Sequence, residues 1–223
     1  MANPSSNFSW GGPQSKPLTI MLAVVVAATA WSAIDPFDYA TWFFESFIGA
    51  GGIITLVLLR KRFPMSALLL AVAAIHYVVL AMGAKYTYAE EPILSWLRDT
   101  LDLSRNHFDR VGHFMQGVTP ALVMREVLQR RTQIGRGVWL GFCALTTAMA
   151  FSALYEILEW LWVAAFYPDV GPEWLGMQGD PFDAQADMLM ATLGGLLSTV
   201  VLARWHDLSI DRLPKRTIKR PQY

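Results

Sequence analysis

The sequence predicts an all-α polytopic membrane protein, a six-transmembrane-helix bundle with its N- and C-termini in the cytoplasm. Apolar residues make up 54% of the 223 residues and charged residues 16%, which is too apolar for an ordinary soluble domain. Six apolar runs approach or reach the roughly 20 residues that a transmembrane helix needs. Basic residues cluster in alternate connections between these runs, and this pattern sets the orientation of membrane helices.

The chain divides into three predicted parts. Residues 1–16 are rich in Ser, Asn, Gly and Pro and predict a flexible cytoplasmic tail, while residues 206–223 predict a basic cytoplasmic tail. Residues 17–205 form the predicted transmembrane domain. Its spans are expected at about 18–34, 41–59, 65–83, 111–128, 138–165 and 184–203.

The first apolar run, 18–34, has two interpretations. Ala28–Thr29–Ala30 resembles the small-residue cleavage site of a secretory signal peptide. However, the run is longer than the apolar core of a usual signal peptide, and the tail before it carries only Lys16 as a basic residue. These features favour a first helix that is retained.

Proline and charged residues mark the connections between the early spans. The segment 35–38 ends the first run, and the basic turn 60–62 precedes Pro64 and the third span. His76 lies inside the third span and is interpreted as a hydrogen-bonded packing residue. Apolar residues at intervals of three and four within 92–103 predict a short amphipathic helix on the membrane surface.

The fifth predicted span is longer than a bilayer requires and carries acids near its end. Glu156 lies roughly 27 Å from Val138 at ~1.5 Å per residue, so Glu156 and Glu159 are expected at the far membrane boundary. In the sixth span, small residues four apart predict a stripe of close helix packing. They are Ala191, Gly195 and Thr199.

The positions of the basic residues predict the orientation of the bundle. With six spans, the turn 60–62, the loop 125–136 and the tail 204–220 all fall on one face, which is therefore predicted to be cytoplasmic. The opposite face collects the connection 85–110 and the loop 167–183, together with nearly every acid near a span boundary.

Charge and cysteine content exclude several classes of function. The formal net charge is zero, so no global basic surface indicates nucleic-acid binding. Cys143 is the only cysteine, which excludes an internal disulfide and a cysteine-based zinc site. Its place in an apolar run predicts a small buried hydrophobic side chain.

Pairs of ligand-type residues occur on three spans at similar predicted depth. Asp109 and His113, and likewise Asp183 and Asp187, are four apart, and Glu156 and Glu159 are three apart. A charge within hydrocarbon costs roughly 2.5–3.5 kcal/mol, so such residues are normally paired, hydrated or functional. Oxygen and nitrogen donors together favour a divalent ion such as Zn, Mn, Fe or Mg.

Two simpler explanations compete with a metal site. Asp109 and Asp183 are placed to cap helix starts, where the helix dipole favours anions. Alternatively, the acids form a charge-paired polar cavity with Arg110. Capping does not account for His113, Glu156 or Asp187, because each lies further into its helix.

Three motifs carry a resemblance to a known family. They are Asn106–Phe114, Tyr155–Trp160 and Gln178–Met188. They resemble the uncharacterised bacterial family of YjdF-like inner-membrane proteins, and the resemblance extends over most of the chain from the second span onwards. It implies a multi-pass protein of the inner membrane and implies no activity.

A more distant resemblance connects the same region to VanZ-like membrane proteins, which are associated with glycopeptide resistance and the cell envelope. Asp109–Phe114, Glu156 and Asp187–Gly195 follow the order of the VanZ-like motifs. The sequence departs from those motifs at three positions. Arg110 stands for a Lys, Glu159 for a Gln and Ala191 for an Asn.

These observations support three hypotheses of function. The first is a metal-dependent membrane hydrolase or transferase that acts on a lipid or cell-envelope intermediate at the outer face, with membrane lipids as partners. Its predicted metal ligands are His107, Asp109, His113, Asp183 and Asp187, and its predicted catalytic residues are Glu156, Glu159 and Arg110. The second is a proton- or ion-coupled transporter of small molecules, which His76, Gln116 and Pro120 support. The third is a non-catalytic envelope scaffold whose polar cluster stabilises the bundle.

Overall fold

Helices account for all the regular structure in residues 15–166 and 178–213, the part of the chain that the computed structural model describes. Along these ranges lie α1 (Ser15–Ser32), α2 (Tyr39–Leu59), α3 (Ala67–Tyr86), α4 (Pro92–Leu101), α5 (Phe108–Arg131), α6 (Val138–Phe166), α7 (Asp183–Leu196), a π-helical segment (Leu197–Val201) and α8 (Ala203–Asp211). The predicted all-α class is therefore confirmed. The predicted N-terminal tail up to residue 14, the loop 167–177 and the C-terminal tail from residue 214 lie outside the described residues.

Five of the described helices are long and apolar enough to cross a membrane. They are α1, α2, α3, α6 and α7 with the π segment. The predicted fourth span lies in α5, which has 24 residues but is not among the five because it is the more polar helix. Asp109 lies in its first turn and Arg130 and Arg131 lie in its last. Length and composition thus indicate a membrane helical bundle.

α5 occupies the centre of this bundle. It packs against α3, α6 and α7, while α1 and α2 pack against α3. Val118, Ala121 and Leu122 of α5 are almost completely buried. Because α5 is surrounded by protein, it can carry polar side chains that would be costly on a lipid-facing helix.

Glycines allow α5 and α7 to cross with their backbones in contact. A Cβ atom on Gly117 would overlap the backbone of Ala191, and one on Gly194 would overlap the carbonyl oxygen of Phe114. A Cβ on Gly195 would instead meet side chains of α6, so the predicted stripe of small residues divides between two neighbouring helices. This close crossing brings the starts of α5 and α7 together.

The two ends of the bundle differ in charge. We call one the acidic end, defined by Asp109, Glu156, Glu159, Asp183 and Asp187, and the other the basic end, defined by Arg60, Arg62, Arg130, Arg131 and Arg136. On α6, the exposed Trp139 and Trp160 are 21 residues apart, which corresponds to about 31 Å along a helix. This length is close to the ~30 Å hydrocarbon core that interfacial Trp residues border.

A second polar cluster is buried at the basic end, and no sequence pattern predicted it. Glu126 and His206 are fully buried, with Glu126 Oε2 3.2 Å from His206 Nε2. Glu126 also accepts a hydrogen bond from the Ser66 backbone N–H and pairs with Arg130. α8 therefore packs into the helical domain as far as Asp211, beyond the boundary predicted at residue 205.

Candidate functional site

His113 lies at the centre of the acidic end, between carboxyl groups of three helices. Its Nε2 atom is 3.4 Å from Asp109 Oδ1 and 3.8 Å from Asp187 Oδ1. Its Nδ1 atom is 3.0 Å from Gln116 Oε1 and 3.3 Å from Glu156 Oε1. The predicted convergence of His113, Glu156 and Asp187 is thus present in the structure.

Oxygen atoms face both nitrogens of the His113 ring. Gln116 and Glu156 lie at Nδ1, and the carboxylates of Asp109 and Asp187 lie at Nε2. With no ion bound, both N–H groups of a protonated ring have acceptors. A metal-binding histidine instead keeps its proton at one nitrogen, held by an acceptor, and binds the ion through the other. These surroundings therefore suit either a protonated His113 or one that binds an ion through Nε2.

Two groups of side chains at this end have ligand atoms within 4.8 Å of one another. One comprises Asp109, His113 and Asp187, and the other comprises His113, Glu156 and Glu159. Such separations suit ligands that share one ion at ~2.0–2.3 Å from each donor atom. The donors are nitrogen and oxygen, which fits the predicted Zn, Mn, Fe or Mg.

Two arginines hold the acids on the other side of the cluster. Asp183 Oδ1 lies 2.5 Å from Arg105 Nη1 and 2.6 Å from Arg110 Nη2, and Arg110 also contacts Asp187. Asp180 Oδ2 lies 3.3 Å from the same guanidinium group. The predicted charge-paired cluster around Arg110 therefore exists, and it lies beside the His113 group.

Two of the predicted metal ligands lie outside both groups of ligand atoms. Asp183 pairs with two guanidinium groups, so its carboxylate faces the arginines and not His113. His107 is exposed at the start of α5. Partial burial and the charges of Arg105 and Arg110 lower the pKa of His107 below its usual value. Arg110, predicted as a catalytic residue, is held by the protein's own carboxylates.

Helix capping, the simpler explanation of the two aspartates, does not describe their contacts. The N-cap residues of α5 and α7 are His107 and Phe182, and neither makes a side-chain capping bond. Asp109 and Asp183 follow them in the first turns and pair with histidine and arginine. The helix dipole still favours an anion at both positions.

Among the described residues, carboxylates outnumber cations at the acidic end. In that part of the chain Arg105 and Arg110 are the cations that contact the acids, with His113 as a third basic group. Six carboxylates either pair with these basic groups or belong to one of the two groups of possible metal ligands. They are Asp109, Glu156, Glu159, Asp180, Asp183 and Asp187. Like charges at this spacing need a further cation or shared protons.

A cavity of about 640 Å³ lies between α2, α3, α5 and α6 and reaches the same cluster. Polar groups line one part of it: Glu45, Tyr88, Asp109, His113, Tyr155 and Glu159. Mainly apolar residues line the deeper part, together with the polar His76, Gln116 and Thr119: the apolar ones are Ile53, Leu56, Ala73, Leu80 and Val123. Its volume and mixed lining are typical of small-molecule sites.

The Tyr88 ring is held in a fixed position in the polar part of this cavity. A Cβ atom on Gly83 would overlap the Tyr88 ring, and one on Gly112 would lie 3.1 Å from it, so the two glycines make room for the ring. The Tyr88 hydroxyl donates to Glu45 Oε2 at 3.4 Å. Burial and the neighbouring Glu45 charge raise the pKa of Tyr88 well above its usual value, so the hydroxyl keeps its proton at neutral pH.

Sequence analysis missed several side chains of the site. Arg105 lies four residues before Asp109, and this charge spacing was the one signal that pointed to it. Glu45 lies in the second turn of α2 and Tyr88 in the connection after α3, 43 residues apart, and no local pattern connects them. Gln116 was considered only for a deeper pathway, although it fixes His113.

Comparisons with known proteins agree with the membrane character of the chain. Residues 17–208 match the model of a family described as "Predicted membrane protein (DUF2238)". The chain is 36% identical to the inner membrane protein YjdF of Escherichia coli (strain K12) over 195 residues, which cover 87% of this chain and 90% of that protein. No solved structure matches it.

Proposed function

We propose that this chain, which belongs to the DUF2238 family of predicted membrane proteins, is a metal-dependent membrane hydrolase or transferase that acts on a lipid or cell-envelope intermediate. The resemblance to YjdF-like proteins and the inner-membrane location, both predicted from the sequence, are confirmed. The observation that carries the proposal is the His113 ring, with acceptors at Nδ1 and two carboxylates at Nε2, beside an amphipathic cavity.

The metal would be held by Asp109, the Nε2 atom of His113 and Asp187. A bound divalent ion supplies a water of lowered pKa, towards ~7, and polarises a phosphoryl or acyl oxygen. Gln116 and Glu156 orient the imidazole through Nδ1. Such outer partners tune a metal centre almost as strongly as the ligands themselves.

Glu159 is the carboxylate best placed to act as a general base. It shares a ligand group with His113 and also lines the cavity, whereas Glu156 faces the His113 ring. A base must lie within hydrogen-bond reach of the group that it deprotonates. Glu159 would therefore take a proton from a nucleophile inside the cavity, while Arg110 holds Asp187 in place through an ion pair.

Thermal unfolding in detergent tests the metal site. A chelator should lower the melting temperature, and one particular divalent ion should restore it, because a ligand that binds the folded state stabilises it. Asp187→Asn should abolish the recovery. Asp102→Asn is the matched control, since Asp102 is exposed and Asn tolerates the same left-handed backbone. A melting temperature that does not change on addition of the chelator, with no metal bound at pH 7, would count against the metal-dependent enzyme.

Proton- or ion-coupled transport is the second candidate, and one observation favours it. His76, Gln116 and Pro120, the residues predicted to mark a deeper pathway, all line the cavity. His76 Nδ1 lies 3.0 Å from Thr119 Oγ1 inside the bundle. The metal-indifferent melt described above would count against metal-dependent catalysis and is expected for transport and for the non-catalytic scaffold alike.

The proposed topology has six spans, with the acidic end outside the cytoplasm. α5 is included as a span because its 24 residues extend about 36 Å and its neighbours shield it from lipid. Alkaline-phosphatase fusions should be active after Asp102 and inactive after Arg131 and Tyr223, because the enzyme folds only when exported. An active fusion after Arg131 would refute the six-span topology.

A further inference from the structure

The cavity is an elongated space that follows the helices from the acidic end into the bundle. Its lining runs along α2 from Thr41 to Leu56 and along α5 from Asp109 to Val123. These separations of 15 and 14 residue steps correspond to about 22 and 21 Å along a helix. The cavity is therefore deeper than one leaflet, which is half of the ~30 Å hydrocarbon core.

The α2 side of the lining changes from polar to apolar along this length, whereas His76, Gln116 and Thr119 supply polar groups on the opposite side. Glu45, Asp109 and Glu159 lie towards the acidic end, and Ile53 and Leu56 lie two to three turns beyond Glu45 along α2. A small polar solute would leave the apolar part unused. An amphiphile places its chain and its polar group in matching surroundings.

Carboxylates predominate in the polar part. Among the described residues, the lining includes the carboxylates of Asp38, Glu45, Asp109 and Glu159, with His113 as the basic group beside them, and neither a Lys nor an Arg. Arg110 lies on the other side of α5, where it contacts the acids of α7. An anionic group would meet repulsion here, whereas a cation would meet carboxylates at close range.

Aromatic rings add a second preference for a cation. Tyr88 and Tyr155 line the polar part, and the Tyr155 ring lies with its centroid 5.8 Å from that of His113. The faces of aromatic rings attract ammonium groups, most strongly where water is excluded. Carboxylates and tyrosine rings together recognise a protonated amine.

We propose that the cavity binds an amphiphile with one apolar chain and a protonated amine, with the amine at Glu45 and Glu159 and the chain along α2 towards Leu56. This inference rests on the proposed function, because it names the substrate class of the same site. It assigns α2 as the wall that separates the chain from lipid. The amine binds through residues of the cavity, and the metal is not needed to hold it.

Two adjacent glycines of α2 provide a matched pair of variants. Gly52 lines the cavity and Gly51 does not, and at neither position would a Cβ atom meet another atom within 4 Å. A Phe at position 52 fills the apolar part of the cavity. A Phe at position 51 has the same effect on helix propensity and faces away from the cavity.

Photolabelling of the full chain in phospholipid nanodiscs tests the proposal. The probes are a dodecylamine and a dodecyl phosphate, each with a diazirine near the end of the chain, and adducts are located by peptide mass spectrometry. The amine should label the cavity lining near Ile53, Leu56 and Val123 more than the phosphate does. Gly52→Phe should reduce this labelling about tenfold, because loss of a few buried methylenes costs that much affinity, and Gly51→Phe should leave it unchanged.

Several results would overturn the inference. They are adducts confined to the lipid-facing Phe47 and Leu58, equal labelling by the phosphate, no effect of Gly52→Phe, or loss of amine labelling on chelation. The chelator also separates the two proposals. Amine labelling in a protein that binds no metal would refute the metal-dependent enzyme alone, and a metal-binding protein without amine labelling would refute this inference alone.

Discussion

Replacing Glu126 by alanine is expected to lower the free energy of unfolding by about 3–5 kcal/mol, the cost of breaking a buried charge pair by removing one partner. Glu126 and His206 are fully buried, and Arg130 Nη1 lies 2.6 Å from Glu126 Oε1. The carboxylate also accepts from the Ser66 backbone N–H at 3.0 Å. The change removes the carboxylate that accepts from the Ser66 N–H, Arg130 and His206. Detergent-based unfolding titrations measure the loss.

Two further variants separate charge from volume at this position. Glu126→Gln keeps the shape and an oxygen acceptor for Ser66 but removes the charge that faces His206 and Arg130. It should be destabilising and less so than alanine. Glu90→Ala is the control, because Glu90 is exposed and surface substitutions are usually within ±0.5 kcal/mol. Equal stability of Glu126→Ala and Glu90→Ala would show that the cluster does not hold the basic end together.

The helices themselves were readable from the sequence because local signals mark their ends. Asp38 accepts from the Thr41 N–H at the start of α2, and the predicted 92–103 segment forms α4 at 92–101 with Glu91 at its N-cap. Six apolar runs between charged or Pro-containing connections gave bounds within a few residues of those observed. Such signals act within one or two turns, so a single sequence contains them.

The contacts among side chains at the acidic end could be predicted only in part. Helical spacing places Asp109 with His113, and Asp183 with Asp187, because residues four apart share a face. Spacing does not say how α5 and α7 are rotated against each other. That rotation decides that Asp187 meets His113 while Asp183 meets the arginines.

Contacts between side chains far apart in the sequence could not be predicted. Glu126 and His206 are 80 residues apart, and neither belongs to a motif that indicates a partner. The predicted basic tail from residue 206 assigned His206 to solvent, since Arg and Lys dominate the last residues. Packing of α8 against α3 overrides that pattern, with Ser209 accepting from the Leu68 backbone N–H at 3.1 Å.

Gly117→Ala is expected to destabilise the bundle by more than the ~1–3 kcal/mol that overpacking with movable side chains costs. The added methyl group would overlap the backbone of Ala191, and a backbone in a packed helix cannot rotate away. The change should separate α5 from α7 and thereby move Asp187 away from His113. We therefore expect a lower melting temperature and loss of the metal-dependent recovery in the same variant.

Gly51→Ala provides the matched control with an effect of opposite sign. No atom lies within 4 Å of a Cβ at this position, and alanine is the better helix former by about 0.5–1 kcal/mol, so stability should hold or rise. A second test concerns the origin of the clash. Ala191→Gly should not rescue Gly117→Ala, because the overlapping atoms belong to the main chain of residue 191. Rescue would mean that side chains set the crossing of α5 and α7, and that the close approach of their backbones does not position Asp187 beside His113.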